Sequence, residues 1–91
     1  MNNLDSVPFQ VEGVIGRVVD GEAVLVLPTK GKVKVLNEVG AFIWSKVDGV
    51  NTARSISKFI SSEYEVDQSD VEEDTMSFLN DLEERGVVFF N

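Results

Sequence analysis

The rhythm of apolar and polar positions changes once along the chain. Up to residue 36 the apolar residues alternate or form short runs; beyond it they recur at helical spacing. Val14–Val19 reads as a first strand, weakened by Gly16. Asp20-Gly21 follows as a two-residue hairpin turn, since both positions of such a turn need positive φ. Ala23–Leu27 is an unbroken apolar run, which suits a strand covered on both faces or flanked on both edges. Pro28-Thr29-Lys30-Gly31 predicts a turn. In Lys32–Leu36, Val33 and Val35 alternate with Lys32 and Lys34, the pattern of a half-buried strand. Two short connections in succession make an antiparallel meander. Its third strand is left at an edge, with unpaired backbone donors and acceptors.

The helical half starts at Asn37, a good N-cap, and places Val39, Phe42, Ile43 and Val47 on one stripe with Trp44 beside it. Asp48-Gly49 ends this helix. Asn51 or Thr52 caps a second, whose apolar face is Ala53, Ile56, Phe59 and Ile60, with Tyr64 near its end. Ser69-Asp70-Val71-Glu72 matches a capping box for a third helix. Its stripe is Val71, Thr75, Phe78, Leu79 and Leu82, and Gly86 after Arg85 closes it. Val87–Phe90 is a short apolar tail expected to pack back on the core. Three strands followed by three helices predict an α+β fold, with residues 1–11 as a tail or a lead-in strand, weakly structured at its start, and one domain over residues 12–91.

With 91 residues the chain fits one domain, and 43% hydrophobic content places it among folded proteins. No apolar run approaches the length of a membrane span, and the N-terminal residues lack the pattern of a signal peptide. These features predict a soluble, cytoplasmic protein with no membrane partner. The formal charge of −8 argues against nucleic acid as a partner, because phosphates attract basic surfaces.

Histidine and cysteine are both absent from the sequence. That removes nucleophile–histidine pairs and the usual zinc sites. No glycine-rich phosphate loop is present, and Asp67-Gln68-Ser69-Asp70 lacks the glycine and ligand spacing of a calcium loop. The carboxylates of the third helix read most simply as a solvated face. Neither a catalytic residue, a metal site nor a cofactor is expected, and the residues alone point to a small acidic binding or adaptor domain.

One ordered series carries more. Gly21-Glu22-Ala23-Val24-Leu25, Leu36 through Trp44, Asp48-Gly49, and Phe78-Leu79 with Leu82 and Gly86-Val87-Val88 together resemble the PqqD-like family, also called the RiPP recognition element. The resemblance spans about residues 12–90 and implies a winged-helix-like fold: a three-stranded antiparallel β-meander followed by three α-helices. It also implies a stand-alone peptide chaperone. Such domains bind the leader of a ribosomally made precursor peptide and present it to a separate maturation enzyme, which is a radical SAM enzyme, a protease or a cyclase. In the family the leader adds as a strand to the third strand and lies between that strand and the third helix.

On this sequence that site falls on Lys32, Val33, Lys34, Val35 and Leu36, facing Asp70, Val71, Asp74, Thr75 and Phe78. Strand addition draws affinity from backbone pairing and specificity from side-chain pockets. Val33 and Val35 are expected as the floor, pointing toward the helices. Asp70 and Asp74 are placed to meet basic leader residues, and Lys32 and Lys34 to meet acidic ones. The same lysines also discourage edge-to-edge aggregation. Trp44 is expected in the core. The alternative is a structural or regulatory winged-helix partner subunit without leader binding.

Overall fold

A computed structural model describes residues 2–27 and 32–91, and of Lys32 the backbone. The elements run β1 (Pro8–Gln10), β2 (Ile15–Val19), β3 (Glu22–Leu27), β4 (Lys32–Leu36), α1 (Glu38–Ser45), α2 (Ala53–Tyr64), α3 (Gln68–Glu84) and β5 (Val88–Phe90). Strands β2, β3 and β4 form an antiparallel sheet in that order, so β4 is an edge strand. The fold is the expected α+β, winged-helix-like succession of meander and three helices. The turn expected at 28–31 lies outside the described residues.

The β2–β3 hairpin follows from Asp20-Gly21, with φ of 52° and 80° at the two turn positions. Gly16, which weakens β2 as a strand, has a packing reason. A Cβ there would stand 2.9 Å from Trp44 Nε1 and 3.2 Å from Leu25 Cδ2, so only glycine lets the indole lie beneath the sheet. Trp44 is buried, as expected. It joins Leu25, Leu36, Ile56, Leu79 and Leu82 in one core between the sheet and the helices.

Residues 8–10 form a lead-in strand, one of the two readings of this segment, and the residues before it are held in place where a weakly structured start was expected. Strand β1 pairs antiparallel with β5, and Phe9 stacks on Phe89 at 5.1 Å. The carbonyls of Leu4, Ser6 and Pro8 accept from the amides of Arg54, Ala53 and Gly49. The apolar tail thus packs back as a strand, and the two chain ends close a second, two-stranded sheet.

Helix starts are set by side-chain acceptors. Asn37 Oδ1 accepts from the Gly40 amide at 2.9 Å, and Thr52 Oγ1 from the Ser55 amide at 3.0 Å. The capping box expected at Ser69 is not formed. Asp67 is the N-cap of α3, accepting from the Ser69 amide at 2.9 Å and the Ser69 hydroxyl at 2.6 Å. Ser69 sits inside the first turn, and Glu72 turns instead to Arg54 at 3.5 Å. On α2, Phe59 is 42% exposed under the Lys46 ammonium, and Ser57 takes the buried position, its hydroxyl donating to the Ala53 carbonyl.

The facing of β4 reverses one expectation. Leu36 is buried opposite Ala23, and Lys34 pairs with buried Leu25. These residues face the helices. Val33 and Val35 lie on the outer face, 59% and 60% exposed, and do not form a floor toward the helices. The physical reason is register: Ala23, Leu25 and Leu27 of the central strand are buried, and their partners on β4 are Leu36, Lys34 and Lys32. Lys34 tolerates the inward side because its stem lies along the protein while its ammonium reaches Asp81 on α3 at 3.8 Å. Of the two readings of the unbroken run Ala23–Leu27, the strand is flanked on both edges, by β2 and β4, and is not covered on both faces. Val24 and Val26 are only half-buried on the outer face, beside exposed Ile15 and Val19.

Candidate functional site

An antiparallel ladder alternates between residues that exchange hydrogen bonds and residues that do not. The two-residue turn makes Val19 and Glu22 a hydrogen-bonded pair, and the unbroken register carries that role to Val24 and Val26 on β3. The remaining β3 residues, Ala23, Leu25 and Leu27, therefore bond to Leu36, Lys34 and Lys32. This leaves the N–H and C=O groups of Val33 and Val35 directed away from β3, along the open edge of the sheet.

Beside that edge lies a groove of about 820 Å³. Its sheet side is Lys34, Val35 and Leu36, continued by Asn37 into α1. Its far wall is α3, with Asp70, Val71, Asp74, Thr75 and Phe78 at helical spacing. Val39, Gly40 and Ile43 of α1 and Ile60 and Tyr64 of α2 close the apolar interior, and Val66 lines it from the α2–α3 connection.

Eight of the expected site residues thus meet in one groove: Lys34, Val35, Leu36, Asp70, Val71, Asp74, Thr75 and Phe78. Val33 lines a smaller cavity of about 250 Å³ with Leu25, Lys34, Arg85 and Val87. The Lys32 side chain lies outside the described residues. Val39, Gly40, Ile43, Ile60, Tyr64 and Val66 were not foreseen. Helical periodicity had assigned Val39, Ile43 and Ile60 to a closed core, and only the exposure of Val39, at 39%, reveals an opening.

Gly40 shapes the interior. A Cβ there would lie 3.2 Å from Phe78 Cζ and 3.3 Å from Leu36 Cβ, so its absence lets the Phe78 ring settle against α1. Phe78 is partly buried against the core and lines the groove at the same time.

The polar groups differ in state. Lys34 is engaged with Asp81, which also accepts from Arg85 Nε at 2.9 Å, so the lysine is tied to α3. Asp70 and Asp74 are exposed at the rim. Tyr64 titrates above its ordinary value because burial disfavours the phenolate, with Glu38 and Glu63 adding repulsion. It stays a neutral hydrogen-bonding group in the wall. Thr75 is the anomaly. It is fully buried, and its hydroxyl has no hydrogen-bond partner among the described residues. An unpaired buried hydroxyl costs about 1–3 kcal/mol.

No group of three metal-ligating side chains occurs among the described residues, and no described helix is long and apolar enough to cross a membrane. Arg54 of α2 bridges Asp5 at 3.3 Å and Glu72 at 3.5 Å.

An open sheet edge beside an apolar groove, with no cluster of metal-ligating side chains among the described residues, has the form of a binding surface and not of a metal centre. Three solved structures share the fold. TbiB1 in complex with the TbiA(beta) leader peptide is 30% identical, with a TM-score of 0.81, covering 88% of this chain and 93% of that one. A lasso peptide synthetase B1 complexed with the leader peptide is 24% identical, with a TM-score of 0.80 and coverage of 90% and 96%. The PqqD truncation of Methylobacterium extorquens PqqCD, a functional stand-alone RiPP recognition element, is 24% identical, with a TM-score of 0.82 and coverage of 98% and 95%. No curated protein sequence matches. Residues 22–88 match the family described as Coenzyme PQQ synthesis protein D, and the chain belongs to this PqqD family of RiPP recognition elements. Members of that family are non-catalytic binding modules.

Proposed function

We infer that this protein is a peptide chaperone. It binds the leader of a ribosomally made precursor by adding it as a strand to β4, and presents the precursor to a separate maturation enzyme of the radical SAM, protease or cyclase type. The observation that carries this reading is the pairing of an open edge at Val33 and Val35 with the groove between β4 and α3. Residues of an added strand alternate in facing. Those on the side of Lys34 and Leu36 enter the groove, and the others join the outer face of the sheet. Backbone pairing at two residues offers up to four hydrogen bonds, each contributing about 0.5–1.5 kcal/mol net. Asp70 and Asp74 favour basic leader residues at the rim, though exposed pairs contribute little.

The decisive variant is Val35→Pro. Proline is tolerated on an edge strand where its nitrogen faces away from the ladder, so the fold survives while one open donor is removed. A leader peptide encoded beside a maturase gene should bind the wild type and shift amides at Val33, Val35 and from Asp70 to Phe78. A folded Val35→Pro protein that binds this peptide with unchanged affinity would refute strand addition.

A structural partner-subunit role draws on one observation, the exposure of Ile15, Val19, Val33 and Val35 on the outer sheet face. That role predicts self-association in size-exclusion chromatography, or capture of a protein partner, that is indifferent to Val35→Pro.

A further inference from the structure

Thr75 stands on the face of α3 that lines the groove, among Val71, Phe78, Ile43, Ile60 and Tyr64. Threonine inside a helix usually returns its hydroxyl to a carbonyl one turn back. Here Thr75 Oγ1 makes no such bond and has no other partner among the described residues, although the residue is 0% exposed. Valine would fill the same shape without an unpaired polar atom, so the hydroxyl does nothing for the free protein that a methyl group would not do better.

We propose that Thr75 is a specificity-determining residue of the groove: once a bound peptide parts the side chains that close over it in the free protein, its hydroxyl pairs with a neutral hydrogen-bonding tip, a hydroxyl or carboxamide, on one inward-facing side chain of the peptide. This rests on the strand-addition reading above. The partner is a side chain because the peptide backbone is taken up by the β4 edge, whereas alternate side chains point toward α3. The tip is neutral because a charge would be stripped of water at a fully buried position. Asp70 and Asp74 hold cations at the exposed rim instead. The other inward-facing peptide residues, two positions away on either side, meet Leu36, Val39 and Ile43 and are apolar. The peptide therefore carries one polar residue within an inward-facing apolar series of period two.

A display library of random peptides, long enough to span β4, tests this against the wild type, Thr75→Val, Thr75→Ser and Val35→Pro. Wild-type selection should enrich Ser, Thr, Asn or Gln at one position of a period-two apolar pattern. Thr75→Ser should keep that preference and Thr75→Val should lose it. Wild-type-selected peptides should bind Thr75→Val about tenfold more weakly. Thr75→Val should also melt no lower than the wild type, a split between stability and affinity that a purely structural hydroxyl would not produce. The same enrichment and affinity from the Thr75→Val protein, or a parallel loss of melting temperature and affinity, would overturn the proposal. If no peptide is selected, or the selected peptides bind Val35→Pro equally well, strand addition itself fails and the Thr75 assignment with it.

Discussion

Gly40 shows how one missing methyl group shapes a groove. Its ideal Cβ would crowd Phe78 and Leu36 at 3.2–3.3 Å, while alanine inside a helix gains up to about 1 kcal/mol over glycine. The two effects oppose, so Gly40→Ala should leave folding stability within about 1 kcal/mol, measured by urea unfolding. It should displace the Phe78 ring into the groove and weaken peptide binding several-fold, measured by titration calorimetry. Asp67 is a second single-residue control. Hydrogen bonds from the Ser69 side chain and amide hold its carboxyl below the ordinary 3.8, and the Asn51 and Val50 amides do the same for Asp48. The folded protein therefore binds these protons less readily than the unfolded chain. The contribution is present above about pH 4 and is lost as pH falls below it. Asp67→Asn keeps an acceptor but no longer titrates, so its melting temperature should fall less than that of the wild type between about pH 5 and pH 3. The sequence announced a capped helix start here but named the wrong residue, because Ser69 and Asp67 are both good caps and only backbone geometry chooses between them.

At the scale of elements, β4 carries most of the account, and there legibility was uneven. Its span and edge position followed from two short connections in succession. Its facing did not, because alternating valine and lysine favours valine inward when the strand is read alone. The central strand overrides that preference: burying Ala23, Leu25 and Leu27 commits Leu36 and Lys34 to the inner side. Leu36→Ala should accordingly cost about 2–5 kcal/mol, whereas Val33→Thr should change stability by less than about 0.5 kcal/mol, both read from chemical denaturation. Equal losses for the two would restore the opposite facing. The stripe of Val71, Thr75 and Phe78 on α3 was legible as an apolar face, but only the family resemblance pointed it at a groove. The contributions of Val39, Ile43, Ile60 and Tyr64 were not, because periodicity cannot tell a stripe that faces a closed core from one that faces a groove.

Across the whole molecule, the two chain ends and the groove divide the work. Strands β1 and β5 tie residues 8–10 to 88–90 in a sheet separate from the meander that supplies the open edge. The helices cover one face of that meander and leave a groove beside β4 that is lined by side chains from all three helices, which a strand added at the edge would meet. The most direct test is hydrogen–deuterium exchange at the Val33 and Val35 amides, with and without a leader peptide that binds the protein. In the free protein these two amides should exchange far faster than those of Lys34 and Leu36, which bond to β3. Binding should protect them strongly and leave Lys34 and Leu36 little changed. Peptide binding that leaves Val33 and Val35 exchanging at their free rates would contradict strand addition at β4.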